Sequence, residues 1–265
     1  MHGLASQPTV APGWPRERSL AAAALRLPIV SGAIAAAWLF AVGTQLTGSA
    51  ALLHHHALIE GDTPMWVAVP IFLLGWQAMI GAMMLPASLP SIDMFNAGTA
   101  LEGRGRGALV AFLGSYALAW SAFGLLAFVG DDILHHVVDA TPWLAARPWL
   151  IEASVIALAG AYQFSPLKQR SLAACRHPAA LAPSLAFPNR SSFEFGLDHG
   201  LACLGSSWAI MLLMFAEGFA NLGWMVALAA VMVYEATGRH GQRAAAAVGA
   251  GLLLLASTVL FGGVL

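Results

Sequence analysis

Seven apolar stretches, separated by short polar segments, dominate the sequence. About 20 apolar residues are needed to cross the roughly 30 Å hydrocarbon core of a bilayer. The second stretch is predicted to end where Pro86 and Pro90 remove backbone donors. The sequence therefore predicts an all-α, polytopic membrane helix bundle. The seven predicted spans are residues 28–50, 66–90, 107–130, 148–164, 196–216, 219–235 and 243–263.

Charged residues are too few to build a water-facing surface. Only 9% of the 265 residues are charged and 59% are hydrophobic, whereas soluble domains carry about 25% charged residues. The expected partner is therefore the lipid bilayer, and the absence of a basic run argues against nucleic acid. The two cysteines, Cys175 and Cys203, are too few for a disulfide framework.

The polar segments alternate in charge, which predicts an orientation because cytoplasmic loops are enriched in Lys and Arg. The segments at 54–64 and 131–142 are acidic and contain histidines. The alternation holds only if residues 196–235 cross twice, with a division at Ala216–Asn221. We therefore predict a cytoplasmic N-terminus, an outer C-terminus and a multi-pass protein of the inner (plasma) membrane. The basic segments contain Arg16, Arg18 and Arg26; Arg104 and Arg106; Lys168, Arg170, Arg176 and Arg190; Arg239 and Arg243.

The same pattern predicts a simple domain organisation. Residues 1–27 are expected to form a flexible cytoplasmic segment, and residues 28–265 a single transmembrane domain. The first apolar stretch is too long for a signal peptide and is interpreted as a retained helix. Any chemistry must then lie between helices or in the loops.

Two predicted spans contain soft-metal ligands. In the second span, Met79 and Met83 are four residues apart and share a helix face, with Met84 beside them. Thioethers suit Cu(I), although methionine also serves as an adaptable packing residue. In the fifth span, Cys203 and Met211 lie on one stripe with Ser207 and Met214, and His199 is one turn away. The alternative is that Cys203 is a small buried hydrophobe.

The candidate ligands of these two spans are predicted to lie at the same depth in the membrane. Met83 and Cys203 each lie seven residues from the predicted inner end of their span, which corresponds to about 10 Å. The two side chains can meet if the helices are neighbours.

Other polar residues allow a functional or a structural interpretation. Glu152 and Glu217 lie near predicted interfaces, where water can solvate them, and Glu217 and Asn221 are expected to bond to the helix turn. Cys175 is either a second thiol or an ordinary loop residue beside Arg176. Lys168 and Arg170 fit an inner headgroup surface. The outer histidines are either cation collectors or hydrated loop residues: His54, His55, His56, His135 and His136.

Four motifs follow one another in the chain: WQAMIGAMMLP (76–86), SYALAWSAF (115–123), AGAYQFSPLKQRSLAACRHP (159–178) and the block 196–235. Together they resemble the DUF2182 family of predicted metal-binding integral membrane proteins. The resemblance implies a GCCW-like segment at the start of the fifth span, where this sequence reads CLGSSW. Ser206 and Ser207 thus occupy positions where cysteines are expected, so methionine and histidine must supply more of the ligands, which favours labile Cu(I).

Two functions are compatible with these features. The first is non-catalytic handling of a soft transition metal, copper above all, between the second and fifth spans. The second is a structural or accessory subunit of a larger membrane complex without its own metal, since nine Trp and ten Met offer packing surfaces for partner subunits. An enzyme is not expected, because the spans contain no paired carboxylate and no Ser–His pair at helix spacing. The candidate metal ligands are Cys203, Met79, Met83, Met84, Met211 and His199.

Overall fold

The computed structural model describes residues 20–49, 64–101, 103, 105–176, 191–217 and 221–263, which form helices and turns without strands. In chain order the helices are α1 (Leu20–Arg26), α2 (Pro28–Leu46), α3 (Met65–Leu101), α4 (Gly105–Asp139), α5 (Pro142–Ala145), α6 (Pro148–Tyr162), α7 (Pro166–Arg176), α8 (Ser192–Glu217), α9 (Leu222–Thr237) and α10 (Gly241–Gly262). Five of these helices, α2, α3, α4, α8 and α10, are long and apolar enough to cross a membrane. The predicted all-α architecture is confirmed, and these helices fit a multi-pass membrane protein.

The fourth and sixth predicted spans differ from simple crossings. Helices α6 and α7 are long and apolar enough to cross a membrane only when taken together, and they meet at a 63° bend. Helix α9 has 16 residues, about 24 Å at 1.5 Å per residue, which is short for a crossing. Five or six of the described helices therefore qualify as spans by length and composition; the count of seven and the orientation stay predictions.

Helix α3 continues through the prolines that were predicted to end it. It runs for 37 residues with Pro70, Pro86 and Pro90 inside, so that prediction was wrong. Proline is tolerated in membrane helices where a neighbour satisfies the backbone group that it frees. Pro86 cannot donate to the Ala82 carbonyl, and the indole Nε1 of Trp38 on α2 donates to it instead at 3.1 Å.

Two predicted loops are largely helical. Residues 131–139 extend α4, where His135 and His136 stand one turn from Asp131 and Asp132. Residues 166–176 form α7 because Pro166 fixes the first turn and Ser165 Oγ accepts the Lys168 amide at 3.0 Å. The remaining outer histidines, at 54–56, lie outside the described residues, as do residues 1–19 of the predicted N-terminal segment.

The predicted polar turn between the fifth and sixth spans can be described in part. Asn221 Oδ1 accepts the Trp224 amide at 3.2 Å and caps α9, so the expected hydrogen bond of Asn221 is confirmed. Residues 218–220 and the Glu217 side chain lie outside the described part. Glu152 on α6 is exposed.

A salt bridge joins the start of the bundle to the far end of α3. Arg26 at the end of α1 donates to both oxygens of Asp93, at 2.9 and 2.7 Å. Asp93 is buried, and the paired geometry satisfies its charge. The N-terminal end of α2 and the C-terminal end of α3 therefore lie at the same end of the bundle.

Small residues bring α4 and α8 into close contact. A Cβ on Gly196 would lie 2.2 Å from Phe112 O and Ser115 Oγ, and one on Gly200 would lie 3.1 Å from Ala119 Cβ. Glycines four residues apart are typical of closely packed membrane helices. This packing sets the rotation of α8, and with it the direction of its polar side chains.

Near the N-terminal half of α3, aromatic side chains pack against one another in the interior of the bundle. We call this group the aromatic layer. Trp76 is at its centre, and its Nε1 donates to the Trp120 carbonyl at 2.8 Å. Ring centroids within the layer are 4.7 to 6.5 Å apart. The layer consists of Phe72, Trp76, Trp120, Phe123, Phe128 and Phe215.

Candidate metal site

A small cavity, here called the polar cavity, lies toward the C-terminal half of α3 and the N-terminal half of α8. Four helices, α3, α7, α8 and α9, contribute to it, because α7 folds back against α8 and the end of α9 closes the remaining side. The cavity combines two thiols, two thioethers, an imidazole, a carboxylate and three hydroxyls. It is lined by Met84, Ala87, Ser88, Leu172, Cys175, His199, Cys203, Ser206, Ser207, Met232, Glu235 and Ala236.

Cys203 is the most enclosed thiol of the cavity. Its Sγ lies 3.2 Å from the Tyr116 hydroxyl of α4 and 3.9 Å from the Met84 Sδ of α3. The Tyr116 hydroxyl also receives a hydrogen bond from Ser88 Oγ at 3.3 Å. Cys203 and Tyr116 are 5% and 2% exposed, so these contacts are made in a water-poor environment.

Ser206 and Ser207 follow Cys203 on α8 and point into the same cavity. Both hydroxyls donate to the Cys203 carbonyl, at 2.8 and 2.7 Å. Ser207 Oγ also lies 3.5 Å from Met84 Sδ. The positions at which the resemblance implied cysteines therefore face the cavity, although a hydroxyl is a poor ligand for a soft metal.

His199 adds a nitrogen donor one turn before Cys203. Its ring lies between Phe112 and Tyr116, with centroids 5.8 Å from each. The residue is 3% exposed, and its Nε2 is buried without a hydrogen-bond partner among the described residues. A buried polar atom without a partner costs free energy, so this nitrogen is available to a ligand in the cavity.

Helix α7 places Cys175 on the cavity wall and Lys168 beside it, and the sequence favoured a functional role for neither residue. Cys175 Sγ lies 3.8 Å from Ser206 Oγ, and Cys175 lines the same cavity as Cys203. Lys168 was predicted to face lipid headgroups, which was wrong: it is 1% exposed and pairs with Glu235 Oε2 at 2.5 Å. The 63° bend after α6 turns this helix toward the bundle.

Three of the six candidate ligands line the cavity and three do not. Met84, Cys203 and His199 lie on its wall. Met79, Met83 and Met211 are buried in the hydrophobic core, where they pack among apolar side chains. It is Met84, and not its neighbour Met83, that contacts the thiol of Cys203. Tyr116, Ser88 and Glu235 were not selected from the sequence, although a carboxylate such as Glu235 at the end of an apolar stretch is a recognised signal of function.

The cavity is not a ready-made site for a harder metal. Across the described ranges, no three or more His, Cys, Asp and Glu side chains are arranged to hold an ion together. A site here must therefore use a thioether or require side chains to move.

The fold and the cavity together define a helical membrane protein with a buried, sulfur-containing polar site. A family model described as PpoB2: Copper chaperone matches residues 73–259, a range that contains every residue of the cavity wall. The chain belongs to this copper chaperone family. No curated protein and no solved structure matches the chain. The protein is thus a copper-related membrane protein, as the sequence indicated; the DUF2182 name stays a prediction.

Proposed function

We propose that the protein binds copper(I) as cargo in the polar cavity, between the second and fifth predicted spans, and hands it on without catalytic turnover. The Cys203 thiolate and the Met84 thioether are the primary ligands. His199 Nε2 is the third donor. Met79, Met83 and Met211 shape the surrounding core.

The observation that carries this proposal is the 3.9 Å separation of Cys203 Sγ and Met84 Sδ. Two metal–sulfur bonds of about 2.3 Å that meet at a trigonal angle place their sulfurs about 4 Å apart. The two side chains come from different helices, and the distance between their sulfurs already matches this geometry. Thiolate and thioether sulfurs are the soft ligands that select Cu(I).

Charge balance also supports a monovalent cargo. One thiolate neutralises one Cu(I) ion, and Lys168 already neutralises Glu235. An uncompensated charge in an environment of low dielectric constant is costly. The loaded cavity is therefore neutral without a counter-ion from outside.

The cargo role implies exchange with other molecules. A chaperone family fits transfer of metal to a partner protein rather than a reaction on a substrate. We place this exchange at the inner (plasma) membrane, with a partner membrane protein as receiver or donor.

The test is Cu(I) binding to the detergent-purified protein under reducing conditions. We expect one copper ion per chain by elemental analysis. Chelator competition should show that Cys203→Ser lowers the affinity on the order of 100-fold, equivalent to about 2.8 kcal/mol. Met84→Leu should also lower it, because leucine fills the same volume without the sulfur.

Met211→Leu is the matched control, because Met211 is fully buried on α8 but does not line the cavity. It should bind copper like the wild type. If the wild type holds no copper above background, the proposal is wrong, and a role as an accessory subunit without its own metal gains support.

A further inference from the structure

Helix α7 buries the fewest apolar side chains of the four helices that line the polar cavity. Its buried residues are Lys168 and Leu172, and only the second of these is apolar. Its outer face carries Arg170, whose side chain is exposed. A segment with little apolar burial separates from a fold at a lower free energy than the core does. Helix α7 is therefore the wall of the cavity that opens most easily.

Polar contacts hold α7 in place at both of its ends. Lys168 Nζ lies 2.5 Å from Glu235 Oε2 on α9 and also donates to the Ser206 carbonyl on α8. At the other end, the Arg176 guanidinium donates to the carbonyls of Glu235 and Gly238. The position of α7 thus depends on contacts with the end of α9, and Glu235 takes part in them through its side chain and its backbone.

The buried ion pair has the energetics of a latch. The side chains of Lys168 and Glu235 are 1% and 2% exposed. The attraction of such a pair is offset by the cost of removing both charges from water, so its net contribution to stability is small. Water that enters as α7 moves away solvates both charges. The pair therefore fixes the closed position of α7 without making that position permanent.

The bend between α6 and α7 provides a hinge. Residues 163–165 connect the two helices, which meet at 63°. Gln163 is 1% exposed, and neither polar atom of its side chain has a hydrogen-bond partner among the described residues. The same holds for Glu235 Oε1 at the latch. Buried polar atoms without partners cost free energy, so a rotation at the bend that admits water relieves a cost of the closed position.

We propose that α7 is a lid of the polar cavity, hinged at residues 163–165 and latched by the ion pair of Lys168 with Glu235, which moves aside when cargo enters or leaves. In the closed position, Leu172 and Cys175 form the inner surface of the lid. The lid supplies none of the proposed copper ligands, so it governs the rates of uptake and release. Its role in cargo exchange rests on the proposed copper function, whereas its movement can be tested without metal.

The experiment measures how fast a water-soluble maleimide labels Cys203 in the metal-free, detergent-purified protein. The chain has two cysteines, so Cys175→Ser leaves Cys203 as its one thiol. Labelling in this background should be slow, because Cys203 is 5% exposed. Adding Lys168→Met should accelerate labelling on the order of 100-fold, since Glu235 is then buried without its partner. Lys168→Met/Glu235→Gln should return the rate toward the background, because no uncompensated charge remains.

A thiol placed in the core is the matched control for general loosening of the bundle. Ala209→Cys, in a chain with Cys175→Ser and Cys203→Ser, lies on α8 at a position that is 2% exposed and does not line the cavity. Its labelling should stay slow when Lys168→Met is added. The lid is overturned if both thiols gain reactivity equally, or if folded Lys168→Met leaves the labelling rate of Cys203 unchanged.

The wild type alone provides a second measurement if Lys168→Met does not fold. In hydrogen exchange, the amides of residues 166–176 should exchange faster than those of residues 199–207, which line the cavity on α8. Equal protection of the two segments would overturn the lid. Neither measurement uses copper, so a negative result leaves the copper proposal standing, whereas a wild type without copper binding overturns the copper proposal and not the lid.

Discussion

Helices α3, α4 and α8 build two buried regions of opposite character along their length. In the aromatic layer, packed rings fill the interior; Trp76 Nε1 donates to the Trp120 carbonyl, and Trp120 Nε1 is buried without a hydrogen-bond partner among the described residues. In the polar cavity, His199 Nε2 and Glu235 Oε1 are buried without hydrogen-bond partners among the described residues. The same packed helices thus build both regions, and their side chains decide which region can accept a ligand. Aromatic rings fill the aromatic layer, whereas thiol, thioether and imidazole groups line the polar cavity.

If the two regions are independent, damage to the aromatic layer should reduce stability and leave copper binding intact. Trp76→Ala removes a side chain that is 2% exposed and should lower the free energy of unfolding by about 3–5 kcal/mol. Denaturant titration in detergent measures this loss, and chelator competition measures copper affinity in the folded fraction.

Trp66→Ala is the matched control for this variant, because Trp66 lies on the same helix and is 78% exposed. It should unfold like the wild type. A parallel fall in copper affinity in Trp76→Ala would show that the aromatic layer and the polar cavity are one unit, which breaks the comparison.

The contact between α4 and α8 is shared by both regions, so a change there should affect stability and copper binding together. In Gly196→Ala the new methyl group would meet Phe112 O and Ser115 Oγ at 2.2 Å. Overpacking of this kind costs about 1–3 kcal/mol. Because the helices must separate, Cys203 should move away from Tyr116 and copper affinity should fall.

Gly114→Ala on α4 tests whether this effect comes from the contact. A Cβ at Gly114 meets nothing within 4 Å, so its stability should equal or exceed that of the wild type. Equal behaviour of Gly196→Ala and Gly114→Ala in unfolding and copper titrations would contradict the close packing of α4 on α8.

The smallest effect is expected for a substitution that affects only the polar cavity. Tyr116→Phe keeps the ring against His199 but removes the hydroxyl that lies 3.2 Å from Cys203 Sγ. The loss of a hydrogen bond to a metal ligand should weaken Cu(I) binding by about tenfold and stability by only about 1 kcal/mol. Tyr234→Phe, at a site 49% exposed, should change neither quantity. An unchanged copper affinity in Tyr116→Phe would remove Tyr116 from the site.

Apolar length predicted where the long apolar helices lie, because a bilayer requires such length, but it did not predict where they end or that residues 166–176 are helical. Helix α3 passes through Pro86 because Trp38 satisfies the freed carbonyl, a contact between segments that no local pattern reveals. The bend that buries Lys168 is equally non-local. Rules based on charge place a lysine near a helix end in the headgroups, and only the tertiary contact with Glu235 overrides them.

The sequence indicated soft-metal ligands on the second and fifth predicted spans, but it did not indicate which residues line the cavity. Residue counting placed Met83 level with Cys203, whereas the contact is made by Met84. Neighbouring positions on a helix differ by about 100° in direction, so depth alone cannot choose between them. Cys175 and Glu235 reach the cavity from α7 and α9, which requires knowledge of how these helices pack.

The bond between Trp38 and the Ala82 carbonyl has a consequence for assembly in the bilayer. A single α3 helix in lipid would carry a carbonyl with no donor at the turn that precedes Pro86, which is costly in hydrocarbon. Helix α2 precedes α3 in the chain and carries the indole that donates to this carbonyl. Insertion of α3 and its lateral association with α2 are therefore coupled, and the required donor precedes its acceptor in the chain.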